Sequence, residues 1–360
     1  MARLFVLALL GLAAYLLAWP VPVDPRPWAP GESPGFGGPY AKNQRLAELE
    51  RVPVGGATGP EDLAADPEGT LYTTSHEGFI LRRPPGGRFE RWVETGGRPL
   101  GIAWDAAGDR LAVADAFLGL LAVTRSGAVE RLTDEADGVP IRYADDVVAG
   151  ADGKLYFSDA STKFGAAEWG GTYEASLLDI IEHGGHGRLL VFDPASGRTS
   201  TVLDGLQFAN GVALTPDEES VLVVETGSYR VLRHHLAGPR AGTTETVIEN
   251  LPGYPDNLNR SSRGYWLGLV SERRAVIDGS AGSPFVRRIL QRLPAFLRPE
   301  ATRYAHVIAF DLDGEVTANL QAHGPKAYAR TTGAFEHEGA LWITSLHEPA
   351  LARMPPGRWE

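Results

Sequence analysis

The sequence predicts an all-β fold, a six-bladed β-propeller, behind an N-terminal apolar segment. Three observations carry that prediction. Short β-rich runs recur six times, at LYTTS (71–75), LAVADA (111–116), LYFSDA (155–160), VLVVET (221–226), YWLGLV (265–270) and LWITSL (341–346). Each follows an eight-residue unit, DLAADPEG, GIAWDAAG, DVVAGADG, GVALTPDE, NLNRSSRG or TGAFEHEG, and five of the six units end in glycine, which suits a hairpin turn. Each is followed by a third run, such as FILRR or GRLLVFD, and then in most copies by a glycine turn and a more polar strand. Four antiparallel strands repeated six times close into a propeller, whereas an irregular sandwich would not keep one spacing through every copy.

The chain opens differently. After Met1-Ala2-Arg3 come sixteen uncharged residues, 4–19, and the next charge is Asp24. A run of that length is short for the roughly 20 apolar residues a membrane span needs, although tilt or local thinning accommodates it. Ala18 is followed by Trp19 and Pro20, so small residues do not mark a cleavage site. The segment therefore reads as an anchor in preference to a cleaved signal peptide. In either case Arg3 holds the amino end inside and the body is exported, either membrane-anchored or periplasmic/extracytoplasmic. Residues 20–43 read as a stiff Pro/Gly-rich linker, and residues 44–360 as the propeller, with the stretch near Leu46–Val52 pairing with the last blade to close the ring.

Composition narrows the function. With 45 acids against 34 bases the net charge is −11, which argues against a nucleic-acid partner and fits a cation. There is no cysteine, so thiol nucleophiles, thiolate metal sites and disulfides are excluded. Two insertions, 161–186 and 271–305, separate the second and third strands of blades three and five. Both leave from the same end of the ring and are expected to overhang one face as binding walls, with SPFVRRILQRLPAF helical.

The residue one step ahead of each blade's first strand should converge on the channel axis at one end of the ring. Aligned on the eight-residue units, this slot holds Glu61, Leu100, Asp145, Asn210, Asp256 and Thr331. Carboxylates forced together must protonate, pair with bases or share a cation. An all-oxygen anionic set suits Ca²⁺ or another divalent cation, whereas zinc would call for His or Cys. The bland alternative is that these acids merely cap turns. Four matched blades favour metal ligation by Glu61, Asp145, Asn210 and Asp256, with Asp62, Asp146 and Asn257 supporting them from behind. His76, His183, His186 and His347 lie near loops and read as surface or structural residues, one of which could serve as a base. No G-x-S-x-G elbow or phosphate loop is present.

GPED (59–62), GRPLGIAWD (97–105), DGKLYFSDAS (152–161), FANGVALTPD (208–217), ETGSYRVLRHHLAGPRAG (225–242) and LPGYPDNL (251–258) together resemble the strictosidine synthase-like family. That family, which includes the adipocyte plasma membrane-associated protein, sits within the gluconolactonase/regucalcin and paraoxonase-type propellers. The resemblance runs from about residue 59 to 347. It implies Ca²⁺ in the central channel, on Glu61, Asn210 and Asp256, with Asp145 in place of the family's usual asparagine. The glutamate that serves as base in strictosidine synthase itself falls on Thr332, which cannot do that work.

The expected activity is calcium-dependent hydrolysis of lactones or related esters, including aryl esters, with Asp256 or Asp145 activating water. A membrane-tethered, non-catalytic binding propeller with structural calcium and a protein partner is the alternative. Amine–aldehyde condensation is disfavoured by Thr332. The expected ligand is a small molecule, and the membrane is reached through the N-terminal segment only.

Overall fold

A computed structural model describes residues 1–359. Six four-stranded antiparallel sheets follow one another in strict chain order, the pattern of a propeller. Their innermost strands are Leu63–Ala65, Pro99–Asp105, Ala144–Ala149, Ala209–Leu214, Gly253–Ser261 and Thr331–His337. Blade six is completed from the far end of the chain: Glu50–Pro53 pairs antiparallel with Ala350–Met354, Glu50 opposite Arg353 and Pro53 opposite Ala350. This outer strand latches the ring.

The second strand of each blade is buried on both faces, which is why it reads as a near-continuous apolar run instead of an alternating one. Ser220–Glu225 and Ala340–Ser345 are buried along their whole length. Adjacent blades share cores, as where Ala112 and Ala114 of blade two meet Val147, Phe157 and Leu190 of blade three. Trp266, fully buried, donates its indole N–H to Glu336 Oε1 at 2.8 Å and so ties blade five to blade six.

A bulge at the start of the inner strand recurs in blades two to six, where two residues are skipped in the pairing: between Pro99 and Ile102, Ala144 and Val147, Ala209 and Val212, Pro255 and Leu258, and Thr331 and Ala334. Such a bulge turns a side chain out of the ladder and re-aims it. The second bulged residue is glycine in several blades for want of room. A Cβ on Gly211 would stand 2.5 Å from the Asp256 carbonyl oxygen, and one on Gly101 would stand 2.5 Å from the Asp146 Cα.

Both insertions form a roof over one end of the channel. The first contributes helix Thr172–Glu182; the second contributes helices Ala275–Ser280 and Pro284–Arg292, the latter capped by the Ser283 hydroxyl, which accepts from Val286 N. Residues 20–42 do not hang free but are strapped to this roof. Arg26 N donates to the Glu182 carbonyl at 2.8 Å, Trp28 N to the Ala281 carbonyl at 3.2 Å, and the Trp28 ring stacks on His183 at 4.0 Å. Arg287, buried between the segments, donates to the carbonyls of Ile181, Ala281 and Arg26. Ahead of the strap, Ala2–Ala18 is a 17-residue helix exposed along almost all of its length. No helix among the described residues is long and apolar enough to cross a membrane.

Candidate metal centre and its cavity

The recurrent bulge aims the slot residues at the axis. In blades two to five the first bulged residue is Leu100, Asp145, Asn210 and Asp256, as the eight-residue units predict. Blade six departs by one position. Its bulge falls on Thr332 and Gly333, so Thr332, not Thr331, occupies the slot. The Thr331 hydroxyl turns away to donate to the His306 carbonyl at 2.8 Å, while that of Thr332 donates to the Glu61 carbonyl at 2.6 Å. The distance from slot to turn glycine is one residue shorter in this blade (332 to 339) than in blade one (61 to 69), and counting back from the glycine misplaces it.

Glu61, Asp145 and Asp256 are buried and each brings a carboxylate oxygen within 4.8 Å of the others. Asn210 and Leu100 line the same floor. Burial, and then the facing charges of Asp256, Asp145 and Asp62, raise the Glu61 carboxyl well above its ordinary range. Burial and Asp256 do the same to Asp145, and burial takes Asp256 up to about 7. Ionised together these carboxylates would repel one another without relief from water, so in the absence of a cation they hold protons.

A hard cation fits this donor set. Glu61 Oε2 and Asn210 Oδ1 are buried without a hydrogen-bond partner, two oxygens of the same cavity lining as Asp145 and Asp256 that a cation would satisfy. Oxygen donors alone, three of them anionic, suit Ca²⁺ over a borderline-soft metal.

The residues behind the slot divide in role. Asn257 Nδ2 donates to the Glu61 carbonyl and to Glu61 Oε1, at 3.0 and 2.9 Å. Asp62 and Asp146 instead stitch blades together: Asp62 accepts from Ile102 N at 3.0 Å and Asp146 from Val212 N at 2.7 Å. Burial raises both, Asp62 to about 6. Arg98 is a cation that the slot alignment misses. It lies two residues ahead of Leu100, buried, with its guanidinium anchored on the carbonyls of Ser75 and Pro99 at 2.9 and 2.8 Å. Its charge opposes the rise at Glu61 and Asp145.

Above the acids lies a cavity of about 400 Å³ walled by the roof, including Trp169, Tyr173, Leu177, Ile181, Ile277 and Leu290. His76 and His347 also face it, with ring centroids 6.5 Å apart. Burial and the Arg330 charge lower His347 to about 4, and burial and Arg98 lower His76, so both are neutral bases at pH 7. The other two loop histidines named from the sequence are structural: His183 stacks on Trp28, and His186 bonds Glu182 Oε1 at 2.7 Å.

Comparison with known proteins matches this architecture. Residues 38–83 match the model for the N-terminal part of strictosidine synthase-like proteins, and residues 145–239 match the strictosidine synthase model. The Arabidopsis thaliana protein strictosidine synthase-like 4 is 33% identical over 325 residues, covering 88% of this chain and 84% of that one. The chain belongs to the strictosidine synthase-like family. Within that family it is also similar to the adipocyte plasma membrane-associated protein of Danio rerio, 31% identical over 387 residues, with 98% and 90% of the two chains covered. Among solved structures, a Xanthomonas campestris gluconolactonase superposes with a TM-score of 0.61 at 19% identity, over 93% of this strictosidine synthase-like chain and 96% of the other. An Agrobacterium tumefaciens regucalcin, described as a calcium-binding protein, superposes with a TM-score of 0.58 at 15% identity, over 85% and 93%. Both likenesses bear on the fold alone.

Proposed function

We propose that this protein is a calcium-dependent hydrolase of lactones or related esters. One observation carries the reading: the cluster of Glu61, Asp145 and Asp256 forms the floor of a roofed, largely apolar cavity instead of lying buried beyond a ligand's reach. Glu61, Asp145, Asn210 and Asp256 would hold Ca²⁺, which when bound would supply Lewis acidity toward a carbonyl oxygen. Glu61 and Asn210 serve mainly as holders. Asp256 or Asp145 takes the proton from water at a carboxylate oxygen, and His347, neutral and within the same cavity, is a second acceptor. Trp169, Leu177 and Leu290 bind the apolar body of the ester, and the roof excludes bulk water. Thr332 offers only a hydroxyl, already donated to the Glu61 carbonyl, which speaks against amine–aldehyde condensation.

A screen of lactones, aryl esters and phosphotriesters, with and without chelator, tests the reading. Turnover of a lactone or ester that is lost on chelation and restored by Ca²⁺ supports it; no turnover of any of them overturns it. The competing reading is a membrane-tethered binding propeller in which calcium is structural, and the blade-stitching bonds of Asp62 and Asp146 favour it. It predicts that chelation lowers the melting temperature of a protein with no activity to lose. Tethering through the apolar helix Ala2–Ala18, with the body exported, is part of both readings and agrees with relatives named adipocyte plasma membrane-associated protein.

A further inference from the structure

Among the described residues, the most exposed large hydrophobic side chains cluster in one region, with only scattered ones such as Phe117, Val129 and Val139 elsewhere. Beyond helix Ala2–Ala18, the large exposed hydrophobic side chains include Phe285, Val286, Phe296 and Leu297, all in the second insertion. Phe296 is 80% exposed at the tip of the roof. Helix Pro284–Arg292 has two faces: Leu290 and Gln291 line the cavity, while Phe285 and Val286 point to solvent.

The N-terminal helix is fixed to this same element. Arg292, buried, donates Nε to the Trp19 carbonyl at 2.6 Å and Nη1 to the Leu16 carbonyl at 2.9 Å, and so caps the helix where a cation is favoured. Arg288 pairs with Asp24 just beyond it. The two apolar surfaces are therefore held side by side.

Length and charge name the occupant. At 1.5 Å per residue a 17-residue helix spans about 25 Å, short of the roughly 30 Å hydrocarbon core. Apolar surface on this scale stays in water only at a steep cost, and in soluble proteins it marks an interaction site. Of the seven arginines in insertion 271–305, Arg287 and Arg292 are buried on carbonyls and Arg273 is covered in its pair with Asp278, which leaves Arg274, Arg288, Arg298 and Arg303 nearer the surface in a chain of net charge −11. Apolar tips flanked by arginines are the chemistry of an interfacial segment on an anionic bilayer.

We propose that the roof of the cavity is a bilayer-contacting surface, with Phe285, Val286, Phe296 and Leu297 seated in the interfacial layer of an anionic membrane beside the N-terminal helix. The part of the cavity wall made by Arg298, Pro299 and Glu300, which directly follows Phe296 and Leu297 in the chain, then lies beside the lipid. If the hydrolase reading holds, its substrates are esters that partition into that layer, but the membrane contact stands apart from turnover.

The absence of native cysteine allows a direct test on the full chain. Phe296→Cys and Phe285→Cys are each labelled with a polarity-sensitive fluorophore. Ser126→Cys, on an exposed hairpin between the outer strands of blade two at the opposite end of the ring, is the control. Each is mixed with phosphatidylcholine vesicles containing phosphatidylserine, and vesicle binding is read by co-flotation. The expected result is a blue shift at 296 and 285, with quenching by nitroxide-bearing lipid, and no shift at 126. A smaller shift is expected when phosphatidylserine is left out. Protein that floats while the label at 296 stays as aqueous as that at 126 is tethered by its helix alone and overturns the proposal. So does failure to float. An equal shift without phosphatidylserine overturns the anionic requirement.

Discussion

Asn257 holds Glu61 twice, once at the backbone carbonyl and once at Oε1, leaving Oε2 buried without a hydrogen-bond partner. The side chain from blade five thus fixes both the position and the rotation of a carboxylate from blade one. Partners of this kind typically change metal affinity by about 10–100-fold when lost. Asn257→Ala should therefore weaken calcium binding by that factor in a calorimetric titration, with the fold retained by circular dichroism. Unchanged affinity would remove Glu61 from the ligand set.

Charge crowding at the floor sets the pH dependence of the chelated protein. The folded-state values of Asp62 (about 6), Asp256 (about 7), Glu61 and Asp145 (both well above the ordinary range) lie above their unfolded ones. The folded state then binds more protons than the unfolded chain, so stability falls as pH rises through this window. Melting temperature in chelator should drop from about pH 5 to pH 8, and saturating Ca²⁺ should flatten the slope. A flat profile in chelator would contradict the crowding.

Asp145→Asn should have opposite effects in the two conditions. It removes a charge that repels Asp256 and Glu61, so the chelated variant should melt higher than the parent. With Ca²⁺ present it removes an anionic ligand and should melt lower. Ligand saturation at a hundredfold over Kd contributes about 2.7 kcal/mol, which bounds the loss. Thermal scans with and without Ca²⁺ read both signs.

Arg287 joins the first insertion, the second insertion and the strap at carbonyls of Ile181, Ala281 and Arg26. Each bond from a charged donor contributes about 1.5–3 kcal/mol. Arg287→Met should loosen the roof without touching the acids. Limited proteolysis should then cut within residues 20–42 faster than in the parent, while calcium affinity stays the same.

His347 and His76 should separate binding from chemistry. Under the hydrolase reading, His347→Ala lowers kcat and leaves calcium affinity unchanged, because the ring faces the cavity and is not among the oxygens of the floor. Stopped assays alongside calcium titration read the two quantities independently.

The repeat made the ring and four-fifths of its bulge positions legible, because the eight-residue spacing from slot to turn is itself the geometry of the inner hairpin. Blade six escaped because its hairpin is shorter by one residue, which slides Thr332 into the place assigned to Thr331. Arg98 escaped for another reason: its long side chain reaches the floor from outside the slot, and no spacing reports where a flexible stem ends. His76 and His347 lie in the loops that follow second strands, which vary in length from blade to blade, so their shared cavity is visible only once the loops have folded. The strap was hidden by its own composition. Proline and glycine read as a spacer, while the side chains that dock it, Arg287 on the Arg26 carbonyl, Arg273 on the Gly31 carbonyl and Asn250 on the Glu32 carbonyl, come from distant parts of the chain and grip strap carbonyls, which carry no side-chain signature.

The latch between Glu50–Pro53 and Ala350–Met354 has a mechanical consequence. Any pull on the N-terminal helix travels down the chain toward this pairing, on which closure of the ring depends. The strap lies between them, and its bonds to Glu182, Ala281 and Arg287 take up the force first. The protein thus carries its own strain relief, as a cable is clamped ahead of its connector.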